Sequence, residues 1–131
     1  MITADQIVAH MIGDYILQSD WMANEKTKKS VAALAHVLAY VVPFLFITSN
    51  ISVLLVIMTT HFAIDRWRLA RYVCWFKNST LGSVFPWAEC SATGYHKDKP
   101  VWMSVWLMII ADNIIHILIN GLALTYIGYK T

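Results

Sequence analysis

Histidines and aspartates recur four residues apart within otherwise apolar stretches of the sequence. They are His10 and Asp14, His61 and Asp65, Asp112 and His116, with His36 in a further apolar stretch. Residues four apart lie on one face of an α-helix, so each pair is predicted to present two polar groups side by side. Ionisable groups of this kind are costly in an apolar setting, so a set of seven predicts a functional polar site.

The residue types in this set favour a metal site. Imidazole and carboxylate groups bind zinc, manganese and iron, and a divalent ion would neutralise aspartates that no deep lysine or arginine is expected to pair with. One zinc takes three or four protein ligands, so seven candidates predict one or two ions, most simply zinc, with manganese or iron as alternatives. Asp14 and Asp112 are also the candidate catalytic bases, because each has a histidine four residues away to share the ligation. The predicted ligands are His10, Asp14, His36, His61, Asp65, Asp112 and His116.

Composition indicates that lipid surrounds the elements that carry these residues. Of the 131 residues, 58% are hydrophobic and 14% are charged, against roughly a quarter charged in soluble domains. The fold class predicted is all-α, an integral-membrane bundle of about four helices forming a single domain over residues 1–131. A net charge of +2 gives no support for nucleic-acid binding. Cys74 and Cys90 have no disulfide or metal-site spacing and are predicted to be free thiols.

Three stretches are apolar enough to span a bilayer. The first runs over residues 31–49, and the second runs from Ile51 past Asp65 into an aromatic and basic segment. The pair Ser49 and Asn50 predicts a turn between them. The third runs from Val101 to about Tyr129, after a proline suited to start a helix.

The N-terminal helix is expected to begin at a capping box formed by Thr3 and Gln6. It either spans the membrane or enters and leaves on one side. The lysines and arginines near the membrane fall before the first span and between the second and third spans, which predicts that both segments are cytoplasmic. A cytoplasmic loop is accordingly expected at about residues 77–100.

Depth estimates place the polar residues of the four helices in one layer. The cytoplasmic interface is marked by Trp21, Lys29, Trp67 and Trp102. With a rise of about 1.5 Å per residue, the depths are about 10 Å for Asp14 and His36, about 9 Å for His61 and about 15 Å for Asp112. The helices are therefore expected to share one polar site.

The chain resembles a family of small bacterial and phage integral-membrane proteins known only as a domain of unknown function, of the 3307 type. The resemblance covers most of the chain and is carried by HMIGDYILQSDWMANEK, by the AH pair at 35–36 and by HFAIDRWR. It implies a multi-pass protein of the bacterial inner membrane with its main loops in the cytoplasm. More distantly, the chain resembles membrane-bound metal-dependent hydrolases, although it has HxxxD where those proteins more often have HxxxH.

The leading functional hypothesis is a membrane-embedded, metal-dependent hydrolase that acts on an ester or phosphoester of a lipid or lipid-linked substrate. A metal-bound water would be the nucleophile. The candidate groups for an anionic headgroup are Arg66, Arg68 and Arg71, with Lys97 and Lys99. An ion or proton transporter could use the same cluster, and a chain this short would then need to form a homo-oligomer. A non-enzymatic phage or bacterial membrane effector is the third hypothesis.

Overall fold

The computed structural model describes residues 2–82 and 84–128, and every regular element in these ranges is helical. This confirms the all-α prediction. The α-helices within the described ranges are α1 (Ala4–Met11), α2 (Asp20–Glu25), α3 (Ser30–Val41), α4 (Ile51–Trp67), α5 (Ala70–Leu81), α6 (Trp87–Cys90) and α7 (Val101–Leu122). Single turns of other helix types extend three of them: π-helix after α1 (Ile12–Ile16), 3-10 helix after α3 (Val42–Phe46) and π-helix after α7 (Ala123–Ile127).

Helix starts follow the local signals in the sequence. The Thr3 hydroxyl accepts a hydrogen bond from the backbone N–H of Gln6, which confirms the predicted cap of α1. Asn50 Oδ1 accepts hydrogen bonds from the backbone N–H groups at the start of α4, after the predicted turn. α7 begins directly after Pro100.

One helix in the described part of the chain is long and apolar enough to cross a membrane. It is Val101–Ile127, with a mean hydropathy of 1.9. α3 and its 3-10 turn form a shorter apolar helix, Ser30–Phe46. α4 was expected to continue into the basic segment, but it ends at Trp67, where Arg68 adopts the left-handed region with φ 52°. The predicted end of the third span at Tyr129 lies outside the described residues.

The chain divides into two compact units. The first contains residues up to Trp67 and from His116 onward, and the second is Arg68–Ile115, so α7 contributes to both. The core of the first unit is built from fully buried Tyr40, Phe44, Val53 and Ile57, with Ala9 and Ala123.

Gly13 lets the π-turn after α1 pack closely on α3. A Cβ atom at this position would lie 2.5 Å from Cδ2 of Tyr40 and 3.0 Å from its carbonyl oxygen. Any side chain here would therefore push the turn away from α3. The neighbouring Asp14 is carried on the same turn, so the glycine also sets where that carboxylate lies.

In the second unit, the segment after α5 folds back on that helix. Trp75 Nε1 donates to the carbonyl of Phe85 (3.0 Å), and Asn78 Nδ2 donates to the carbonyl of Gly94 (3.1 Å). Gly94 has φ +81°, and a Cβ there would collide with the Arg71 carbonyl oxygen. The region predicted as a loop is thus helical to Leu81 and contains α6. Both cysteines are buried free thiols, as predicted.

Candidate metal centre

Four side chains of the first unit direct one ligand atom each to a common point. Asp14 comes from the π-turn after α1, His36 from α3, and His61 and Asp65 from successive turns of α4. Their ligand atoms all lie within 4.8 Å of one another. Both histidines are fully buried, Asp65 is 6% exposed, and the Asp14 side chain is 12% exposed.

The separations match those between ligands of one small cation. The Nε2 atoms of His36 and His61 lie 2.9 Å apart, and each lies 3.1 Å from Asp65 Oδ2. Asp14 Oδ1 is 3.2 Å from the first imidazole and 3.3 Å from the second. Bond lengths of 2.0–2.1 Å in a tetrahedral zinc site imply ligand atoms about 3.3 Å apart. These five separations are close to that spacing, so the four atoms could serve as ligands of one ion.

The second oxygen of each aspartate contacts a further buried histidine. Asp14 Oδ2 lies 3.4 Å from His10 Nδ1, and Asp65 Oδ1 lies 3.4 Å from His116 Nε2. Each carboxylate thus faces the central point with one oxygen and an outer imidazole with the other. Such outer partners fix the orientation of ligand side chains in metal sites. His10 and His116 occupy this outer position relative to the four-atom cluster, and direct ligation by either of them stays a prediction.

Tyr40 connects the outer histidines to the rest of the core. Its hydroxyl lies 2.9 Å from His10 Nδ1 and accepts a hydrogen bond from Asn120 Nδ2 at 2.6 Å. Its ring stacks on His61 with 3.6 Å between centroids. Sequence reasoning missed this tyrosine, although its position four residues after His36 on an apolar helix was an available signal. Asn120 on α7 therefore makes an interhelical hydrogen bond to Tyr40 on α3.

Lys26 also reaches the cluster, which corrects the expectation that no cationic side chain does so. Its Nζ lies 2.7 Å from Asp65 Oδ2 and 3.3 Å from His36 Nε2. The lysine side chain is 17% exposed and follows α2, in a segment that the sequence marked only as a topology signal. The stem is long enough to bring the charge inward, which charge counting along the chain does not reveal.

The histidine rings are held by packing more than by second hydrogen bonds. Within the described ranges, Nδ1 of His36 and Nδ1 of His61 have no hydrogen-bond partner. The ring of His61 packs between the rings of Tyr40 and His116, with 4.1 Å between the centroids of the two histidines. The ring of His36 packs against His61 at 4.9 Å. This packing keeps Nε2 of His36 and of His61 aimed at the carboxylates.

The remaining predicted residues are not members of the four-atom cluster. Asp112 is half-buried on α7, one turn before His116, and its roles as ligand and base stay predictions. Arg66 donates to the Thr27 carbonyl at 2.7 Å and ties α4 to the segment before α3. In the second unit, Arg68 donates to the carbonyl of Ala92 and Arg71 to that of Ser91. These guanidinium groups make structural contacts, and headgroup binding by them stays a prediction.

A family model described as "Protein of unknown function (DUF3307)" matches residues 2–127. The match spans nearly all of the chain, so the chain belongs to this family. No curated protein and no solved structure matches it at a significant level. The resemblance to this family is thereby confirmed, while its bacterial or phage, membrane-embedded character and the hydrolase resemblance stay predictions.

Proposed function

We propose that this member of the family is a multi-pass membrane protein that binds a divalent cation and hydrolyses an ester or phosphoester bond of a lipid or lipid-linked substrate. The observation that carries the proposal is the convergence of four buried ligand atoms from three segments of the first unit. A bacterial inner-membrane location, with the basic segments cytoplasmic, is part of the same proposal.

The distribution of polarity supports embedding in lipid. Fully buried side chains of the first unit include both imidazoles of the four-atom cluster, whereas α3 and its 3-10 turn expose Val31, Leu34, Leu38, Leu45 and Phe46. Apolar side chains outside and polar groups inside are the arrangement expected in a bilayer, where imidazoles and carboxylates must find partners within the protein. α3 with its turn, and α4, have 17 residues each, close to the lower limit for a span.

Charge balance supports a divalent ion. With neutral imidazoles, Asp14 and Asp65 carry two negative charges, and Lys26 supplies one positive charge. One oxygen of each carboxylate lies about 3 Å from both His36 and His61. The one negative charge that Lys26 leaves uncompensated is therefore confined to this cluster. A divalent ion replacing the ammonium group would neutralise both carboxylates, and zinc, manganese and iron all accept this donor set.

Exposure differs between the two carboxylates and suggests a division of roles. Asp65 is nearly buried and touches both inner histidines, which suits a permanent ligand. Asp14 is the more exposed of the two, so it is the better candidate for a base that takes a proton from an attacking water. A bound divalent ion would supply Lewis acidity and a water of lowered pKa.

Lys26 has two consequences for this function. Its ammonium contacts Asp65 Oδ2 and His36 Nε2, two of the atoms that a cation would use. A metal ion and the ammonium group therefore compete, and the lysine must move outward when the ion binds. At the rim it would be placed to attract the anionic part of a substrate.

The same competition favours cation transport as the second candidate. An ion that displaces Lys26 from Asp65 and is later displaced by it would enter and leave a buried site without exposing an unpaired carboxylate. Hydrolysis would form a new lipid species, whereas transport would move the ion across the membrane without forming one. These two outcomes can be measured on one preparation.

The test uses full-length protein reconstituted in sealed vesicles made from total bacterial lipid. New lipid species are followed by mass spectrometry, and divalent-ion and proton flux are followed in parallel. The proposal expects metal-dependent product formation that Asp14→Asn abolishes while metal content is retained. Asp98→Asn, the same substitution at an exposed aspartate of the second unit, is the matched control and should leave turnover unchanged. Flux without product would replace hydrolysis by transport, and neither signal would leave a non-enzymatic role.

A further inference from the structure

A second site lies in the other unit of the chain, away from the histidines and aspartates discussed so far. The segment that folds back on α5 encloses a cleft of about 270 Å³. The polar and aromatic side chains that line it include those of Trp75, Lys77, Asn78, Tyr95, His96 and Lys99. We propose that this cleft binds a phosphate-bearing group through Lys77 and Lys99.

Both lysines are gathered around one tyrosine. Lys77 Nζ donates to the Tyr95 hydroxyl at 2.9 Å, and Lys99 Nζ lies 5.6 Å from the centre of the same ring. The tyrosine is 7% exposed, so it holds a fixed position close to both ammonium groups. Two positive charges on the wall of one small cleft create a local potential that favours an anion.

Neither lysine is paired with a carboxylate among the residues that the structure describes. Lys77 donates to the tyrosine hydroxyl, and Lys99 Nζ donates to the sulfur of Met103 at 3.8 Å. The acidic side chain of the same segment is used elsewhere, because Glu89 pairs with His96 and Lys97. The two cleft lysines therefore retain donor capacity for a ligand.

The walls of the cleft are set before any ligand binds. Trp75 and Asn78 donate to backbone carbonyls of the returning segment, and Gly94 permits the close approach to α5. A preformed cleft loses less entropy on binding than a loop that must first become ordered. Ammonium groups bind phosphate as point charges and do not require the bidentate geometry of arginine.

The experiment compares two charge-matched double variants of the full chain in neutral detergent. Lys77→Gln/Lys99→Gln removes the proposed contacts, and Lys28→Gln/Lys29→Gln removes two exposed lysines that pair with Glu25. The probes are inorganic phosphate and short-chain phosphatidic acid, with short-chain phosphatidylcholine as the zwitterionic control. Binding is measured by calorimetry, and Tyr95→Phe serves as a milder variant that keeps the ring.

The first double variant should weaken binding of the phosphate probe by at least about tenfold, and the matched double variant by less than about twofold. Tyr95→Phe should fall between them. Tight binding of phosphatidic acid but not inorganic phosphate would identify the source as a lipid headgroup, and equal binding would identify free phosphate. Absence of binding to either probe, or equal losses in the two double variants, would overturn the proposal. The metal site takes no part in this measurement.

Discussion

His36 and His96 show how two regions of the chain use similar groups differently. His36 is fully buried, and its single Nε2 atom lies 3.2 Å from Asp14 and 3.1 Å from Asp65. His96 is 18% exposed and uses two nitrogens, with Nε2 2.9 Å from Glu89 and Nδ1 3.3 Å from Asp98. One histidine aims one atom at a point shared by two carboxylates, and the other makes one contact from each side of its ring.

That difference separates a candidate cation site from an ordinary surface network. Exposed ion pairs contribute about 0–1 kcal/mol because water competes for both partners. Buried carboxylates cost several kcal/mol each unless something compensates them. Burial and convergence of the ligand atoms on one point therefore distinguish the candidate metal site from the surface network. The number of acidic neighbours does not, because His36 and His96 each have two.

The largest effect is expected from Asp65→Asn. The substitution leaves the Lys26 ammonium without its 2.7 Å partner and removes an oxygen from the cluster. Loss of one partner of a buried pair costs about 3–5 kcal/mol, and partial exposure of the lysine places the effect near the lower end. Unfolding in detergent should show a loss of about 3 kcal/mol. A loss no larger than that of Glu89→Gln would show that the two regions do not differ.

Gly13→Ala should have the next largest effect. The added methyl group would meet the Tyr40 ring and backbone, so the π-turn must shift away from α3. Overpacking of this kind costs about 1–3 kcal/mol. The shift would also displace Asp14, the proposed base, so turnover should fall together with stability. Gly128→Ala is the control, because its nearest contact would be an ordinary 3.8 Å from Val53. Equal effects in the two variants would contradict the close approach.

Lys26→Met is expected to strengthen binding of a divalent ion, whereas Asp65→Asn and Gly13→Ala are expected to lower stability. Removal of the competing ammonium group should tighten divalent-ion binding by about tenfold, since an ion no longer has to displace a 2.7 Å salt bridge. Lys97→Met removes the same charge from an exposed position and should change affinity little. Isothermal titration with zinc and manganese measures both variants. Weaker binding in Lys26→Met would mean that the lysine supports the ion and does not compete with it.

The smallest effect is expected for the exposed network. The hydrogen bond from His96, and then Lys97, holds the pKa of Glu89 below its ordinary value. A depressed carboxyl pKa contributes stability at neutral pH, and that contribution is lost as the pH falls below about 4.3, the usual glutamate value. Glu89→Gln should therefore narrow slightly the difference in melting temperature between about pH 6 and pH 3. A wider difference would contradict the sign of the shift.

Helical spacing was sufficient to predict the main parts of the cluster. The pairs His10 with Asp14 and His61 with Asp65 each lie on one helical face, and the structure brings members of both pairs to one point. Spacing could not distinguish inner from outer positions, because that depends on which oxygen of each aspartate faces the centre. For the same reason, spacing could not show that His116 contacts Oδ1 of Asp65, the oxygen that faces away from the centre of the cluster.

Other features depend on contacts between segments that are distant in the sequence. Lys26 reaches Asp65 from the segment after α2, and nothing local marks that lysine as different from its neighbours. The end of α4 at Trp67 was also missed, because Arg68 is not a residue type that commonly breaks a helix. The ordered segment after α5 depends on hydrogen bonds such as that from Asn78 to Gly94.

Metal content tests the central claim most directly. Full-length protein, purified without chelators after growth with added zinc, manganese and iron, is analysed by inductively coupled plasma mass spectrometry beside His61→Ala and His96→Ala. About one divalent ion per chain is expected in the wild type and in His96→Ala. Much less is expected in His61→Ala, because His61, unlike His96, belongs to the four-atom cluster. Folded wild-type protein that holds no more metal than His61→Ala would contradict the account.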